Sequence, residues 1–94
     1  MGAVSLIIRN IPDIEEKTFS FDIPGDVSLF DMLSAWSEEN APGLTKRVFD
    51  PETGCISGTI MIIKNGRSVK SEDPRVTIVS PGDEITVFPI IVGG

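Results

Sequence analysis

Between Lys17 and Ile23 the chain alternates, with Phe19, Phe21 and Ile23 separated by Ser20 and Asp22. That period of two is the mark of a strand with one buried face. Ahead of it, Val4 to Ile11 is rich in Ile, Leu and Val, and Asn10 through Glu16, with Pro12 and Asp13, supplies a turn. The two segments are expected to form an opening hairpin. Pro24-Gly25-Asp26 breaks the alternation, and from Ser28 the apolar residues Leu29, Phe30, Met32, Leu33 and Trp36 recur at helical spacing. Ser28 is a suitable N-cap, Asp31 stands in for the Glu of a capping box and lies near the positive helix end, and Asn40 to Gly43 should close the helix.

Leu44 to Gly58 has no sustained period, and Asp50-Pro51-Glu52-Thr53-Gly54 is a turn sequence, so this stretch reads as an irregular excursion. Thr59 to Ile63 is continuously apolar, as expected of a short strand covered on both faces and central in its sheet. Asn65-Gly66 and Ser80-Pro81-Gly82-Asp83 are turn formers on either side of a short strand-like piece around Val76 to Val79. The last strand is expected over Glu84 to Phe88. Pro89 lacks a donor and should weaken pairing there, after which the chain should leave the sheet. Two hairpin strands, one helix and further strands predict an α+β fold, a mixed sheet packed on one main helix, which is the order of a ubiquitin-like β-grasp. The whole of 1–94 is expected as one domain with a flexible tail from about residue 89.

Composition narrows the chemistry. With 40% hydrophobic and 23% charged residues the chain has the balance of a folded globule. Its formal charge of -6, from fourteen acidic and eight basic residues, opposes a phosphate backbone, so nucleic acid is not an expected partner. The acidic excess serves solubility, and it also suits docking on a basic surface. One cysteine, Cys55, and no histidine rule out an internal disulfide framework, all-cysteine metal sites and the usual Ser-His or Cys-His nucleophiles. No apolar run nears the roughly 18 residues of a membrane span, and no signal peptide is visible, so the expected compartment is the cytoplasm. The carboxylates of Glu15, Glu16, Glu38 and Glu39 are read as solvated, Trp36 and Phe30 as core.

The tail departs from the norm, since chain ends are ordinarily polar and this one runs Phe88-Pro89-Ile90-Ile91-Val92 into Gly93-Gly94. Ile85 and Val87 complete the core. Ile90 and Val92 are divided between core and an exposed contact patch. Glycine has no Cβ, so Gly93-Gly94 forms a slim end that can enter a narrow active site and deliver its own carboxylate. A carboxylate is a poor acyl donor and needs activation before a sulfur or nitrogen nucleophile can attack it.

Ile63-Lys64-Asn65-Gly66, then Pro81-Gly82-Asp83-Glu84-Ile85-Thr86-Val87-Phe88-Pro89, and the terminal Gly93-Gly94 resemble the MoaD/ThiS sulfur carriers. The resemblance covers the C-terminal third and implies a carrier with no cofactor of its own. Gly94, behind Gly93, would be adenylated at the expense of ATP by a partner enzyme of the ubiquitin-activator kind and converted to a thiocarboxylate. Phe88, Pro89, Ile90, Ile91 and Val92 would form the docking segment. A sulfur-accepting enzyme such as a molybdopterin synthase large subunit would be the second partner, with no nucleic acid and no membrane involved. The segment Arg9 to Glu16 lacks the Leu-Arg-Glu-like stretch of many molybdopterin-synthase small subunits, and Ile90 replaces a frequent second proline. The excursion around Phe49-Asp50-Pro51-Glu52-Thr53-Gly54 resembles the longer MoaD-like proteins, which places molybdopterin-type sulfur transfer first. Sulfur donation to thiamine, cysteine or tRNA, conjugation to lysines as a protein modifier, and a pure interaction module remain as alternatives. Cys55, in a turn-rich stretch with no cationic neighbour in sequence, is read as a bystander thiol.

Overall fold

A computed structural model describes residues 2–11 and 17–90. The hairpin forms as the alternation requires. Strand β1 (Gly2–Ile8) pairs antiparallel with β2 (Lys17–Ile23), the register placing Leu6 opposite Phe19 and Val4 opposite Phe21. Of the turn expected over Asn10 through Glu16, Asn10 takes a positive φ of 56°, and 12–16 lie outside the described residues. A two-residue strand β3 (Val27–Ser28) leads into α1 (Leu29–Asn40), where Ser28 Oγ accepts from the Asp31 N–H at 3.0 Å as an N-cap should. The N–H groups of Leu29 and Phe30, which have no partner within the helix, donate to the carbonyls of Thr77 and Pro74 at 2.8 and 2.9 Å. At the far end the Ala41 N–H donates to the Ser37 carbonyl and Asn40 Nδ2 to that of Trp36. The helix therefore ends where its sequence runs out.

The excursion is more ordered than its sequence suggests. A short helix α2 (Leu44–Val48) is followed by a single antiparallel bridge between Phe49 and Ile56, and Leu44, Val48, Phe49 and Ile56 all belong to the core. Strand β4 (Ile60–Lys64) turns at Asn65-Gly66 into β5 (Arg67–Ser68). Strand β6 (Ile78–Val79) pairs with β3, and β7 (Glu84–Pro89) is the last element among the described residues.

The main sheet has five strands in the order β2-β1-β7-β4-β5. Its centre is β7, parallel to β1 and antiparallel to β4. The expectation that Thr59 to Ile63 is central and covered on both faces is therefore corrected. β4 has only the two-residue β5 beyond it, and its burial alternates: Ile60 and Ile62 are buried, Met61 and Ile63 half-buried. A continuous apolar run here reflects a second face that is apolar without being covered. Val4, Leu6, Ile8, Ile62, Ile85 and Val87 meet Leu29, Leu33 and Trp36 of α1 in the core. The architecture is the α+β β-grasp, a mixed sheet wrapped on one main helix.

Candidate functional site

The proposed docking segment begins inside the sheet. Ile60 stands opposite Pro89 and Met61 opposite Phe88, and the Ile90 N–H donates to the Thr59 carbonyl at 2.7 Å. That bond makes Thr59 and Ile90 a hydrogen-bonded pair, so the adjacent Ile60 and Pro89 form a non-hydrogen-bonded one. The missing N–H of Pro89 takes nothing from the ladder with β4. It falls on the β1 side instead, where the last bond to β7 runs from the Arg9 N–H to the Val87 carbonyl at 3.0 Å. Pro89 thus ends the parallel ladder while the antiparallel one continues, so Ile90, expected beyond the sheet, is still held to the Thr59 carbonyl. Ile91, Val92, Gly93 and Gly94 lie outside the described residues.

Phe88 and Pro89 are both half-buried but on opposite faces. Pro89 shares the helix side with Ile85 and Val87, whereas Phe88 faces away from the helix with Thr86. The registers bring Met61 and Ile63 of β4 and Ile7 of β1 to that same face, all half-buried. Ser68 Oγ donates to Met61 Sδ at 3.3 Å along its border. The open face of the sheet therefore carries an apolar strip that ends beside the exit of the tail. Sequence reasoning named Phe88 alone of this group. The apolar run at Met61 and Ile63 carries the signal, as an uncovered second face rather than as double burial.

At the opposite end of β7 two turns grip each other. Asn65 and Gly66 take positive φ of 52° and 84°, the left-handed pair of a tight hairpin, and Gly82 takes 95°. Asn65 Nδ2 donates to Asp83 Oδ1 at 2.9 Å and the Glu84 N–H donates to Asn65 Oδ1 at 2.8 Å. Asp83 Oδ2 accepts from the Ser80 N–H at 2.8 Å. Partial burial pushes the Asp83 carboxyl up, but the bonds from Ser80 and Asn65 and the nearby Lys64 charge outweigh it and hold the group below its ordinary value. The two C-terminal motifs of the sequence are one structural unit.

Cys55, Glu38 and Glu39 are exposed, Trp36 is buried, and Phe30 is packed half-buried against Phe49 with ring centroids 5.0 Å apart. Glu15 and Glu16 lie outside the described residues. Among the described residues no three acidic, cysteine or histidine side chains group to hold a metal ion, and no helix is long and apolar enough to cross a membrane.

A family model, that of the ThiS family, matches residues 13–94. The chain belongs to the ThiS family. This ThiS-family chain is 30% identical over 81 residues to small archaeal modifier protein 3 of Haloferax volcanii, an alignment covering 86% of this chain and 85% of that relative. The crystal structure of small archaeal modifier protein 1 from the same organism superposes with a TM-score of 0.72 at 26% identity, covering 99% of this chain and 100% of the other. Urm1 of Trypanosoma brucei, at 9% identity, reaches a TM-score of 0.75 over 99% of this chain and 96% of its own, and shows the ubiquitin-like β-grasp fold alone. The ThiS-family match spans both turn motifs, β7 and the terminal glycines.

Proposed function

We propose that this chain is a sulfur carrier whose Gly94 carboxylate is the working group. The supporting observation is that the family match extends to residue 94, through an apolar tail whose side chains carry no reactive group. The carboxylate attacks the α-phosphate of ATP in the active site of a ubiquitin-activator-like partner, and pyrophosphate leaves. Hydrosulfide then attacks the acyl carbon, AMP departs, and a thiocarboxylate remains. The carrier binds no cofactor itself. Its contribution is reach and docking, with Phe88, Pro89, Ile90, Ile91 and Val92 and the strip Ile7, Met61 and Ile63 meeting the partner while Gly93-Gly94 enter its site. A sulfur-accepting enzyme of molybdopterin synthesis is the proposed recipient, and the cytoplasm the compartment.

A second reading is favoured by the names of the relatives, two of which are small archaeal modifier proteins. The same adenylate, attacked by a lysine amine instead of sulfur, yields an isopeptide bond and releases AMP. Intact mass spectrometry of the protein from its native host separates the two. A mass raised by the difference between sulfur and oxygen supports the carrier, and a covalent conjugate supports the modifier. If the free acid alone is found, also after incubation with the host's activating enzyme, ATP and a sulfur donor, both readings fail.

A further inference from the structure

Away from Phe88, Pro89 and Ile90, β2 and α1 enclose a groove of about 640 Å³ that the proposed carrier function does not use. Its floor is apolar and aromatic: Phe19 and Phe21 from β2, Met32 and Trp36 from α1, with the Phe19 and Trp36 rings tilted against each other at 4.8 Å between centroids. Its rim carries Asp22, Asp31 and Glu39, all exposed, and among the described lining residues none is basic. None of Phe88, Pro89 or Ile90 reaches it.

The groove also has a hydrogen-bonding wall. Among the described residues β2 is an edge strand, paired with β1 alone. The Ser5 and Arg9 N–H groups point to β7, donating to the carbonyls of Asp83 and Val87. The backbone groups of Val4, Leu6 and Ile8 therefore point to β2, and engage Phe21, Phe19 and Lys17. By the same alternation the backbone groups of Thr18, Ser20 and Asp22 point outward, away from the sheet. An edge of this kind is a template for an added strand, and an apolar floor beside it offers pockets for every second side chain of that strand.

We propose that this groove binds an extended segment of a partner protein, apolar at alternate positions and flanked by Lys or Arg. The added strand hydrogen-bonds to Thr18, Ser20 and Asp22, its apolar residues lie on Phe21, Met32 and Trp36, and its basic flanks meet Asp22, Asp31 and Glu39. Charge complementarity selects this occupant over an acidic or neutral peptide. The site is separate from Phe88, Pro89 and Ile90, so a partner can be held here while that segment is engaged elsewhere.

The test uses the full chain and two blocked nonapeptides, KKVTVIVKK and its charge-reversed counterpart EEVTVIVEE. Trp36 is the only tryptophan, so its emission reports occupancy of the groove directly. The expected result is saturable binding of the basic peptide, with a change in Trp36 emission and amide shifts concentrated at Thr18, Ser20 and Asp22. Ala35, exposed on the helix wall, accepts Ala35→Arg without disturbing the core, and this variant should lose saturable binding. The triple change Asp22→Asn, Asp31→Asn and Glu39→Gln should weaken it about tenfold while leaving the fold unchanged. Equal binding of the acidic peptide, shifts mapping to Ile7, Met61 and Phe88, or no binding of either peptide at millimolar concentration would overturn the proposal. So would a second copy of the chain filling the edge, seen as concentration-dependent dimerisation with shifts at the same amides, or saturation by dodecylamine but not by the peptide.

Discussion

Asn65 and Asp83, 18 residues apart in the chain, are joined by a hydrogen bond of 2.9 Å from Nδ2 to Oδ1, while the other end of the Asn65 amide accepts from the Glu84 N–H. One side chain thus ties the β4–β5 turn to the entry of β7. A slip of one residue in β7 would send Ile85 and Val87 to the open face and Thr86 into the core, so this tie guards the register on which the tail depends.

Asn65→Ala should destabilise the fold by roughly 1–3 kcal/mol, since it removes both bonds and puts a Cβ residue without a compensating side chain at positive φ. Asn65→Gly should recover the conformational part and not the bonds, giving an intermediate loss. Urea unfolding of the three proteins checks the order. Equal midpoints would show that the tie carries no weight.

The Asp83 carboxyl has a folded-state pKa below its ordinary value of 3.8, so the folded form binds a proton less readily than the unfolded chain. Its contribution is therefore complete above about 3.8 and is lost as the pH falls from there through the lower folded value. Asp83→Asn should be less stable than wild type at neutral pH, and the gap should narrow on acidification within that window. Thermal midpoints measured from pH 7 to pH 2 test this, and a gap that widens in acid would reverse the assignment.

Leu33 is fully buried between α1 and the sheet. Leu33→Ala should cost roughly 2 to 5 kcal/mol, the range for a core leucine whose cavity relaxes incompletely. Chemical denaturation measures it. A loss below about 1 kcal/mol would mean that the core collapses around the missing atoms.

Deleting Gly94, or adding one residue after it, should abolish ATP-dependent thiocarboxylation and leave the fold intact. One residue moves the terminus by roughly 3.3 Å, and a misplacement of about 1 Å can cost on the order of a hundredfold in rate. Ile90→Asp should weaken docking instead, while Cys55→Ser should leave transfer unchanged. Binding and product mass, followed separately with the host's activating enzyme, distinguish the three effects.

The sequence revealed what depends on neighbours along the chain. The period of two at Phe19, Phe21 and Ile23 is a local property of β2, and Ser28 caps α1 through a bond only three residues long. What it concealed depends on distant pairing. The helix Leu44–Val48 spans too few residues for a period to emerge, and Phe49 is bridged to Ile56 and packed on Phe30, far from it in sequence. Likewise the run at Ile60 to Ile63 could not disclose that β7, and not β4, takes the centre. The resemblance in the C-terminal third named Asn65 and Asp83 without their reason, which is a contact between two turns. Of the candidate site, the sequence marked the tail but not the apolar strip at Ile7 and Met61, because only the register lays them beside Phe88.

The central place of β7 has a consequence for how the molecule is made. Translation delivers β1 first and β7 last, and without β7 the main sheet falls into two separate hairpins, β2-β1 and β4-β5, each leaving an unpaired edge. Two isolated hairpins are marginal in water, so the native state waits for the closure of a loop that spans nearly the whole chain, from Ser5 to Glu84. Folding is thereby deferred until synthesis has passed β7, and the strand that leads to the tail is the one that completes the body. A ribosome that stops early releases a chain with neither a folded domain nor a tail, so under the proposed function no folded decoy is made that could occupy the activating enzyme.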